Sequence, residues 1–285
     1  MNTASIPNVV CLWAGEDLFV RLPKPFLQEK LEKAELKRST YFHYLSSQMV
    51  PLPLILARST PQEVWENAIS FCSRSKPPVL IPRKLDSDLA YLVGALRDGS
   101  ISKRVGVDYT LSLSQSGEGS YIWLRKIASI IRRQFGVAPK IEADRTGHRI
   151  VVHSKPVVLF FEHVFSMPMD QRYWDTPNLI KTGSAIEIGL AKGYVAGFFD
   201  AEGYVTSVET YRKTGKTKLA FYQNNRESLD YIRGFLAALG FRPSFCKDRG
   251  KFALYLYGKD ALAKFYAQFP VLRKKKRLRA LLGSF

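Results

Sequence analysis

The chain has 285 residues, which is enough for two or three modest domains with cores of their own. Its 43 lysines and arginines stand against 25 aspartates and glutamates, so the formal net charge is +18 and the pI is about 9.8. This balance favours a polyanionic partner, with nucleic acid first and an anionic membrane surface second. A merely basic or ribosome-associated protein is the alternative at this point.

Cysteine usage and hydropathy bound the cellular location. Cys11, Cys72 and Cys246 are scattered and lack CxxC spacing, which argues against a structural zinc site or a disulfide framework. The sequence has no secretory signal pattern and no run approaching 18 consecutive apolar residues. We therefore expect a protein that is not secreted and does not cross a membrane, located in the cytoplasm or in an organelle or nucleoid.

Residues 1–82 predict a small, mostly helical domain. The stretch "KPFLQEKLEKAELKRSTYFHYLSS" predicts a helix, a short turn and a second helix with Ser39 as its N-cap, and a further helix starts at Thr60-Pro61. This order resembles a helix-turn-helix domain, whose second helix would bring Arg38 and Ser39 to the major groove. The alternative is a helical domain that packs on the rest of the chain without touching DNA.

Residues 83–178 predict the order αββαββα. The first helix, in "LDSDLAYLVGALRDG", begins behind Ser87 or Asp88, both competent N-caps, and ends at Asp98-Gly99. The remaining elements are the strands "KRVGVD" and "YTLSLSQS", the helix "GSYIWLRKIASIIRRQFG", the hairpin "PKIEADRTGHRIVVHS" and the helix "KPVVLFFEHVF".

Residues 179–285 repeat this order after a linker near "MPMDQRYWDTPNLIKTGS". A helix over about 187–201 leads through Glu202-Gly203 into two predicted strands, "YVTSVETYR" and "TKLAFYQ", joined by a turn at residues 213–215. The helix "RESLDYIRGFLAALG", the hairpin "RPSFCKDRGKFALYLYG" and the helix "KDALAKFYAQF" follow. The sequence thus predicts an α+β fold with two pseudo-symmetric halves behind a helical extension.

The two helices that open the halves carry a recognisable motif. "VAGFFDAEG" (residues 195–203) agrees in residue type with the LAGLIDADG motif at every position, and "YLVGALRDG" (residues 91–99) is a looser copy. The chain resembles a single-chain LAGLIDADG homing endonuclease over residues 83–285. In that family the motif helices pack side by side, and the last acid of each motif binds a divalent metal. The resemblance therefore implies that Asp98 and Glu202 are catalytic and hold Mg²⁺ (or Mn²⁺).

The first motif departs from the family pattern by one residue. Four residues separate Gly197 from Glu202, but only three separate Gly94 from Asp98. Either Val93 takes the packing position of the motif glycine, or Asp98 leaves its helix about 100° of rotation early.

Three further catalytic residues are implied by the resemblance. Gln115 and Gln223 end the second strand of each half, where the family often has a polar residue that orders water near the metals. The segment "FPVLRKKKRLRALL" resembles the one that supplies a lysine, with Lys274, Lys275 and Lys276 as candidates; we select Lys275. The alternative for this lysine run is a solvated end that contacts phosphate.

The strands also predict the surface that meets DNA. Their alternation of apolar and polar residues indicates one covered and one open face, and two four-stranded sheets would place their open faces together as a basic saddle. Polar side chains on a β-ribbon can reach base edges in the major groove, while a plain solvated face is the alternative. The predicted DNA contacts on the saddle are Ser102, Arg104, Thr110, Ser112, Lys140, Arg149, Thr206, Lys216, Lys218 and Arg242.

These features together predict a site-specific endonuclease. We expect a monomer that acts as a pseudo-dimer on double-stranded DNA, cutting both strands by Mg²⁺-dependent hydrolysis with short 3′ overhangs, as intron-encoded members of the family do. A non-cleaving transcription regulator and an RNA maturase of the same fold are the alternatives. The presence of both Asp98 and Glu202 speaks against the regulator.

Overall fold

The computed structural model describes residues 4–32, 34–74, 76–104, 108–117, 119–145, 147–169, 174–181, 185–248 and 250–285. Four antiparallel sheets and thirteen α-helices are found within these ranges. The chain divides into an N-terminal extension and two halves of like topology. Among the described helices, none combines the length and apolar character that a bilayer span requires.

The N-terminal extension contains a small sheet that the sequence did not predict. Strands β2, β3 and β4 pair in the order β3-β2-β4, while β1 pairs with β5 just before the first half. Helix α2 starts one residue before Ser39, so that residue lies inside the helix and is not its N-cap. The bounds are β1 Ala4–Ser5, β2 Phe19–Arg21, α1 Lys24–Leu31, α2 Arg38–Ser47, β3 Met49–Pro51, α3 Leu52–Leu56, α4 Pro61–Asn67, β4 Ser70–Cys72 and β5 Lys84–Leu85.

This extension packs directly on the first half. The Leu80 amide donates to the Phe135 carbonyl over 2.9 Å, and Glu16 forms a 2.9 Å ion pair with Lys155. Its buried apolar side chains belong to the same core cluster as those of both halves. Removal of residues 1–82 would therefore uncover apolar surface, and whether α1 and α2 act as a helix-turn-helix remains a prediction.

The first half has the predicted αββαββα order. Its sheet runs β6-β7-β9-β8, and the helices cover one face of it. The N-cap of α5 is Asp86, whose carboxylate accepts from the Leu89 amide over 2.8 Å; the sequence analysis named Ser87 and Asp88 instead. The bounds are α5 Ser87–Ala95, β6 Gly99–Arg104, β7 Asp108–Ser116, α6 Ser120–Phe135, β8 Lys140–Asp144, β9 Gly147–His153 and α7 Lys155–Phe165.

The second half repeats this topology with one change. Its sheet runs β10-β11-β13-β12, which is the same order of first, second, fourth and third strand. The α+β fold with two pseudo-symmetric halves is thereby confirmed. The bounds are α8 Asn178–Lys181, α9 Ala185–Glu202, β10 Gly203–Val205, α10 Val208–Thr214, β11 Lys218–Gln223, α11 Arg226–Ala238, β12 Ser244–Asp248, β13 Lys251–Tyr257, α12 Lys259–Gln268 and α13 Lys275–Leu282.

The change is helix α10, which replaces most of the predicted strand "YVTSVETYR". Ser207 caps this helix by accepting from the Thr210 amide, and Gly215 ends it in the left-handed conformation at a φ of 64°. The alternation of residue types in this stretch was misleading, because the stronger signals were the cap at Ser207 and the glycine behind two basic residues. The predicted hairpin turn at residues 213–215 is the end of α10.

Candidate active site

Helices α5 and α9 approach so closely that their backbones touch at two glycines. A Cβ atom on Gly94 would lie 2.0 Å from the Tyr194 carbonyl oxygen, and one on Gly197 would lie 2.0 Å from the Tyr91 carbonyl oxygen. The two contacts are reciprocal, as a pseudo-two-fold axis between the helices requires. Gly94 is therefore the counterpart of Gly197, and the alternative in which Val93 takes the packing position is wrong.

The first motif compensates for its missing residue by changing helix type. Residues Leu96–Asp98 form a 3₁₀ turn, whereas α9 stays α-helical as far as Glu202. The path from Gly94 to Asp98 has one α-helical step and three 3₁₀ steps, which together rise about 7.5 Å along the axis and rotate about 460° around it. The five α-helical steps from Gly197 to Glu202 also rise about 7.5 Å and rotate about 500°. The acid of the shorter motif thus reaches the same height and lags by about 40° of rotation, not 100°.

Both acids line one polar cleft at the ends of these helices. The cleft has a volume of about 190 Å³, enough for several water molecules or hydrated ions. Its walls come from both halves: Arg97, Asp98, Gly99, Glu202, Tyr222, Gln223, Asn224 and Lys251. The structure therefore brings Asp98, Glu202 and Gln223 together, as the sequence predicted, and adds Lys251 from the start of β13.

The electrostatics of the cleft suit a divalent cation. Partial burial and the charge of Glu202 raise the pKa of Asp98 to about 7, and burial raises the pKa of Glu202. Lys251 and Lys274 oppose both shifts without cancelling them. The two carboxylates repel each other when both are ionised, and a positive charge shared between them would reduce this repulsion. Asp98 and Glu202 give the cleft two carboxylates, a donor set that fits Mg²⁺ because this ion keeps several waters and needs only one or two carboxylates.

The two predicted glutamines occupy equivalent places beside the acids. Gln115 is buried at the end of β7, and its Nε2 donates to Oδ2 of Asp98. Gln223 is buried at the end of β11, where its Oε1 accepts from the Asn224 amide over 2.7 Å. Gln115 thus contacts the acid of its own half directly, while Gln223 lines the cleft beside Glu202.

The match with known proteins agrees with this geometry. Residues 190–270 match the profile of the LAGLIDADG-like domain family. This part of the chain is therefore similar to a LAGLIDADG-like domain. The homing endonuclease I-ApeI of Aeropyrum pernix is 28% identical to the chain over 203 residues, which covers 68% of this chain and 87% of the relative.

Solved structures resemble the chain at lower identity. The homing endonuclease I-DmoI in complex with DNA and Mn is 19% identical, with a TM-score of 0.48, and the match covers 64% of this chain and 96% of that one. Full-length DUF199/WhiA from Thermatoga maritima is 13% identical, with a TM-score of 0.45, over 69% of this chain and 60% of that one.

Beyond residues 190–270, the structure places Lys274 against the end of the motif helix α9 and leaves Lys275 exposed. The Lys274 ammonium donates to the carbonyl oxygens of Phe199 and Asp200 over 2.7 and 2.5 Å, at the end of α9. Burial lowers the pKa of Lys274 to about 7. Lys275 is exposed on the first turn of α13. The choice of Lys275 is therefore corrected to Lys274, because the Lys274 ammonium contacts the end of the motif helix and Lys275 is exposed.

Asp200, the other acid of the second motif, has a structural role and binds backbone amides and a tyrosine hydroxyl. It is fully buried, and its carboxylate accepts from the backbone amides of Leu272 and Lys274 over 2.6 and 2.9 Å and from the Tyr91 hydroxyl over 2.5 Å. These bonds hold the segment before α13 against α9. Asp200 therefore fixes the position of Lys274, which explains why a carboxylate stands near the C-terminal end of an apolar helix.

Arg97 is a site residue that the sequence analysis missed. Only 2% of it is exposed, and its guanidinium donates to the Ser228 hydroxyl and the Asp175 carbonyl and lies 4.9 Å from the Trp174 ring. Burial raises the pKa of Glu202, and the charge of Arg97 opposes that rise. The available sequence signal was the difference between the two motifs at this position: the first motif has Arg97 where the second has Ala201.

The first half-sheet assembles its predicted DNA contacts on one face. Ser102 pairs with Thr110, Ser112 pairs with Val151, and Arg149 pairs with Ser114, so alternate residues of β6, β7 and β9 share the open side. Lys140 joins them opposite Val151, and Arg104 lies at the end of β6. All six predicted residues of this half are thus brought together: Ser102, Arg104, Thr110, Ser112, Lys140 and Arg149.

The second half-sheet keeps only one of its four predicted contacts on the strands. Lys218 shares the open face with Ala220, as expected. Thr206 is buried, and its hydroxyl is bonded to the backbone of Lys218, so it cannot reach a base. Lys216 and Arg242 are exposed in the loops before β11 and β12. Arg38 and Ser39 lie exposed at the start of α2, in the N-terminal extension.

Proposed function

We propose that the protein is a site-specific endonuclease that hydrolyses both strands of double-stranded DNA. The observation that carries this proposal is the pair of carboxylates, Asp98 and Glu202, which end two reciprocally packed helices and line one cleft. The similarity to homing endonuclease I-ApeI supports the same function. The cut is expected to leave short 3′ overhangs, as the resemblance to intron-encoded members implies.

Asp98 and Glu202 are the residues that would hold Mg²⁺ or Mn²⁺. A divalent ion there supplies Lewis-acid polarisation of the scissile phosphate. The carboxylates contribute charge at a fixed spacing, because the helices that carry them cannot part without breaking the Gly94 and Gly197 contacts. Gln115 holds the Asp98 carboxylate in one orientation through its hydrogen bond.

Lysines provide the positive charge that the reacting phosphate requires. Lys251 lines the cleft, and its ammonium is placed to attract a phosphate oxygen. Lys274 is held at the end of α9 with a pKa lowered to about 7, so near neutral pH it is in part an amine and in part a cation. Such a group can accept a proton from water or stabilise charge that develops in the transition state. We assign the catalytic lysine to Lys274.

Double-stranded DNA is the partner that the rest of the surface fits. The excess of 43 basic over 25 acidic residues favours a polyanion. Each half-sheet also carries a row of polar or basic side chains on its open face. One chain supplies both acids, so we expect a monomer to suffice. Both acids are retained in the cleft, which favours cleavage over a purely regulatory role in transcription.

Incubation with a plasmid library of uninterrupted host genes tests this function. We expect double-strand breaks at one sequence in the presence of Mg²⁺ and none in the presence of EDTA. Mapping the ends would give the overhang directly. Breaks that ignore sequence, or an absence of breaks while the protein binds RNA structure, would contradict the proposal.

A further inference from the structure

The open face of the second half-sheet is aromatic. Residues that pair directly across neighbouring strands project from the same side of a sheet. The registers of β10, β11 and β13 therefore place four tyrosines, two alanines and two lysines on that side: Tyr204, Tyr222, Tyr255, Tyr257, Ala220, Ala253, Lys218 and Lys251. We call this set the tyrosine face.

The first half-sheet carries hydroxyl groups at the equivalent positions. The row that follows Gly99 contains Ser100 and Ser112, whose hydroxyls lie 2.9 Å apart. The row that follows Gly203 contains Tyr204 and Ala220. The two halves thus share a topology and differ in what they present: small hydroxyl side chains in the first half, tyrosine rings in the second.

The rings of the tyrosine face are held in place. The Lys218 ammonium lies 4.5 Å from the Tyr255 ring and 5.9 Å from the Tyr204 ring, and the Tyr255 and Tyr257 rings are 5.6 Å apart. Tyr257 remains 56% exposed beside these packed neighbours. A supported aromatic surface loses little side-chain entropy when it is covered by a partner.

Most of the charge of the second half surrounds this face, which carries Lys218 and Lys251 itself. Residues 179–285 contain twenty lysines and arginines against eight acids, whereas residues 83–178 contain fourteen against ten. Further exposed cations such as Lys216 and Lys247 stand beyond the tyrosine face, in a loop and near a strand end. Phosphate contacts give affinity without reading sequence, so this charge equips the second half for attraction, while its face presents mainly tyrosine rings that end in hydroxyl groups.

We propose that the tyrosine face contacts its half of the DNA site through the methyl groups of thymine, while the first half-sheet discriminates bases by hydrogen bonds. This inference rests on the proposed function and specifies how the two half-sites are recognised. The thymine methyl is the apolar group that base pairs present in the major groove. Ring contacts favour it, whereas serine and threonine hydroxyls on the first half-sheet match donors and acceptors.

Selection of bound duplexes from a random pool, with the wild-type protein in EDTA, begins the test. One half of the selected site should be rich in thymine, and Tyr257→Ala should relax that half alone. Tyr257→Phe keeps the ring and should leave the selected sequence unchanged. Ser112→Ala should alter the other half, which identifies the half-site of the first half-sheet.

Replacing thymine with deoxyuridine then removes single methyl groups. Affinity should fall about fourfold for each contacted thymine in the half-site of the tyrosine face, as the burial of one methyl-sized group predicts, and should not change in the other half. Unchanged affinity in both halves would overturn the inference and leave the endonuclease proposal standing. Tighter binding of single strands than of duplex, lost in Tyr257→Ala, would assign the face to unpaired bases. A pool without any enriched sequence would overturn the proposed function itself.

Discussion

The contact between α5 and α9 is expected to tolerate no side chain at Gly94. An added Cβ would stand 2.0 Å from the Tyr194 carbonyl oxygen and 2.8 Å from the Phe198 amide nitrogen, both of them backbone atoms. Cβ contacts under 3.0 Å are essentially never seen, so the helices must separate by about 1 Å or tilt. Overpacking of this kind costs about 1–3 kcal/mol or more, and the better helix propensity of alanine returns about 1 kcal/mol.

We therefore predict that Gly94→Ala lowers the free energy of unfolding by about 2 kcal/mol, which is an overpacking cost of about 3 kcal/mol less the gain of about 1 kcal/mol in helix propensity. Thermal or denaturant unfolding of the purified variant measures this loss. Because Asp98 sits four residues beyond the contact, cleavage should fall as well. Gly197→Ala meets the reciprocal contact and should behave alike.

Gly234→Ala is the matched control for this series. Gly234 is exposed in α11, and a Cβ there would meet nothing within 4 Å. The same substitution should therefore stabilise the protein by about 0.5–1 kcal/mol. Wild-type stability in Gly94→Ala, alongside the expected gain in Gly234→Ala, would refute the close approach of the motif helices.

Three further outcomes are expected. The pKa of Asp98 is raised to about 7 from its ordinary 3.8, so ionisation of Asp98 destabilises the metal-free fold as pH rises from about 4 to 7. In calorimetry, the Asp98→Asn variant should therefore be about 1–2 kcal/mol more stable than wild type at pH 8 and as stable as wild type at pH 4. This free energy is smaller than the full pKa shift would give, because the carboxyl is open to the cleft. Lys274→Met should reduce the single-turnover cleavage rate about 100-fold, whereas Lys275→Met should not. A loss confined to Lys275→Met would return the assignment to the exposed lysine. DNA affinity measured by anisotropy should fall about 10³-fold between 50 and 200 mM salt if six or more phosphates are contacted, and a flat response would argue against a nucleic-acid partner.

The repeated architecture could be predicted because its signals are local. Period-two alternation, glycines at helix ends and the spacing of the motif acids each depend on a few neighbouring residues, and they placed both helices of the motif and most strands. The cap at Ser207 carried an equally local signal for α10, but the alternation around it was given more weight. The three-stranded sheet of the extension escaped because its strands are only three residues long and pair across distant segments.

The candidate site was predictable in part for the same reason. Asp98, Glu202 and the two glutamines end regular elements, so their convergence follows from the fold. The choice between Lys274 and Lys275 depends on bonds that Asp200 makes to a segment about 70 residues later, which no local pattern reveals. The 3₁₀ turn before Asp98 is likewise a response to packing around Gly94.

The cleavage activity of the Glu202→Gln variant is the measurement that most directly tests whether the paired carboxylates are the catalytic centre. The substitution removes one negative charge from the cleft and leaves the shape of the side chain and both half-sheets unchanged. The account predicts that, with Mg²⁺ and a duplex that wild type cuts, this variant makes no double-strand breaks while its DNA affinity stays within a few-fold. Double-strand cleavage at the wild-type rate would contradict the assignment of the paired carboxylates as the catalytic centre.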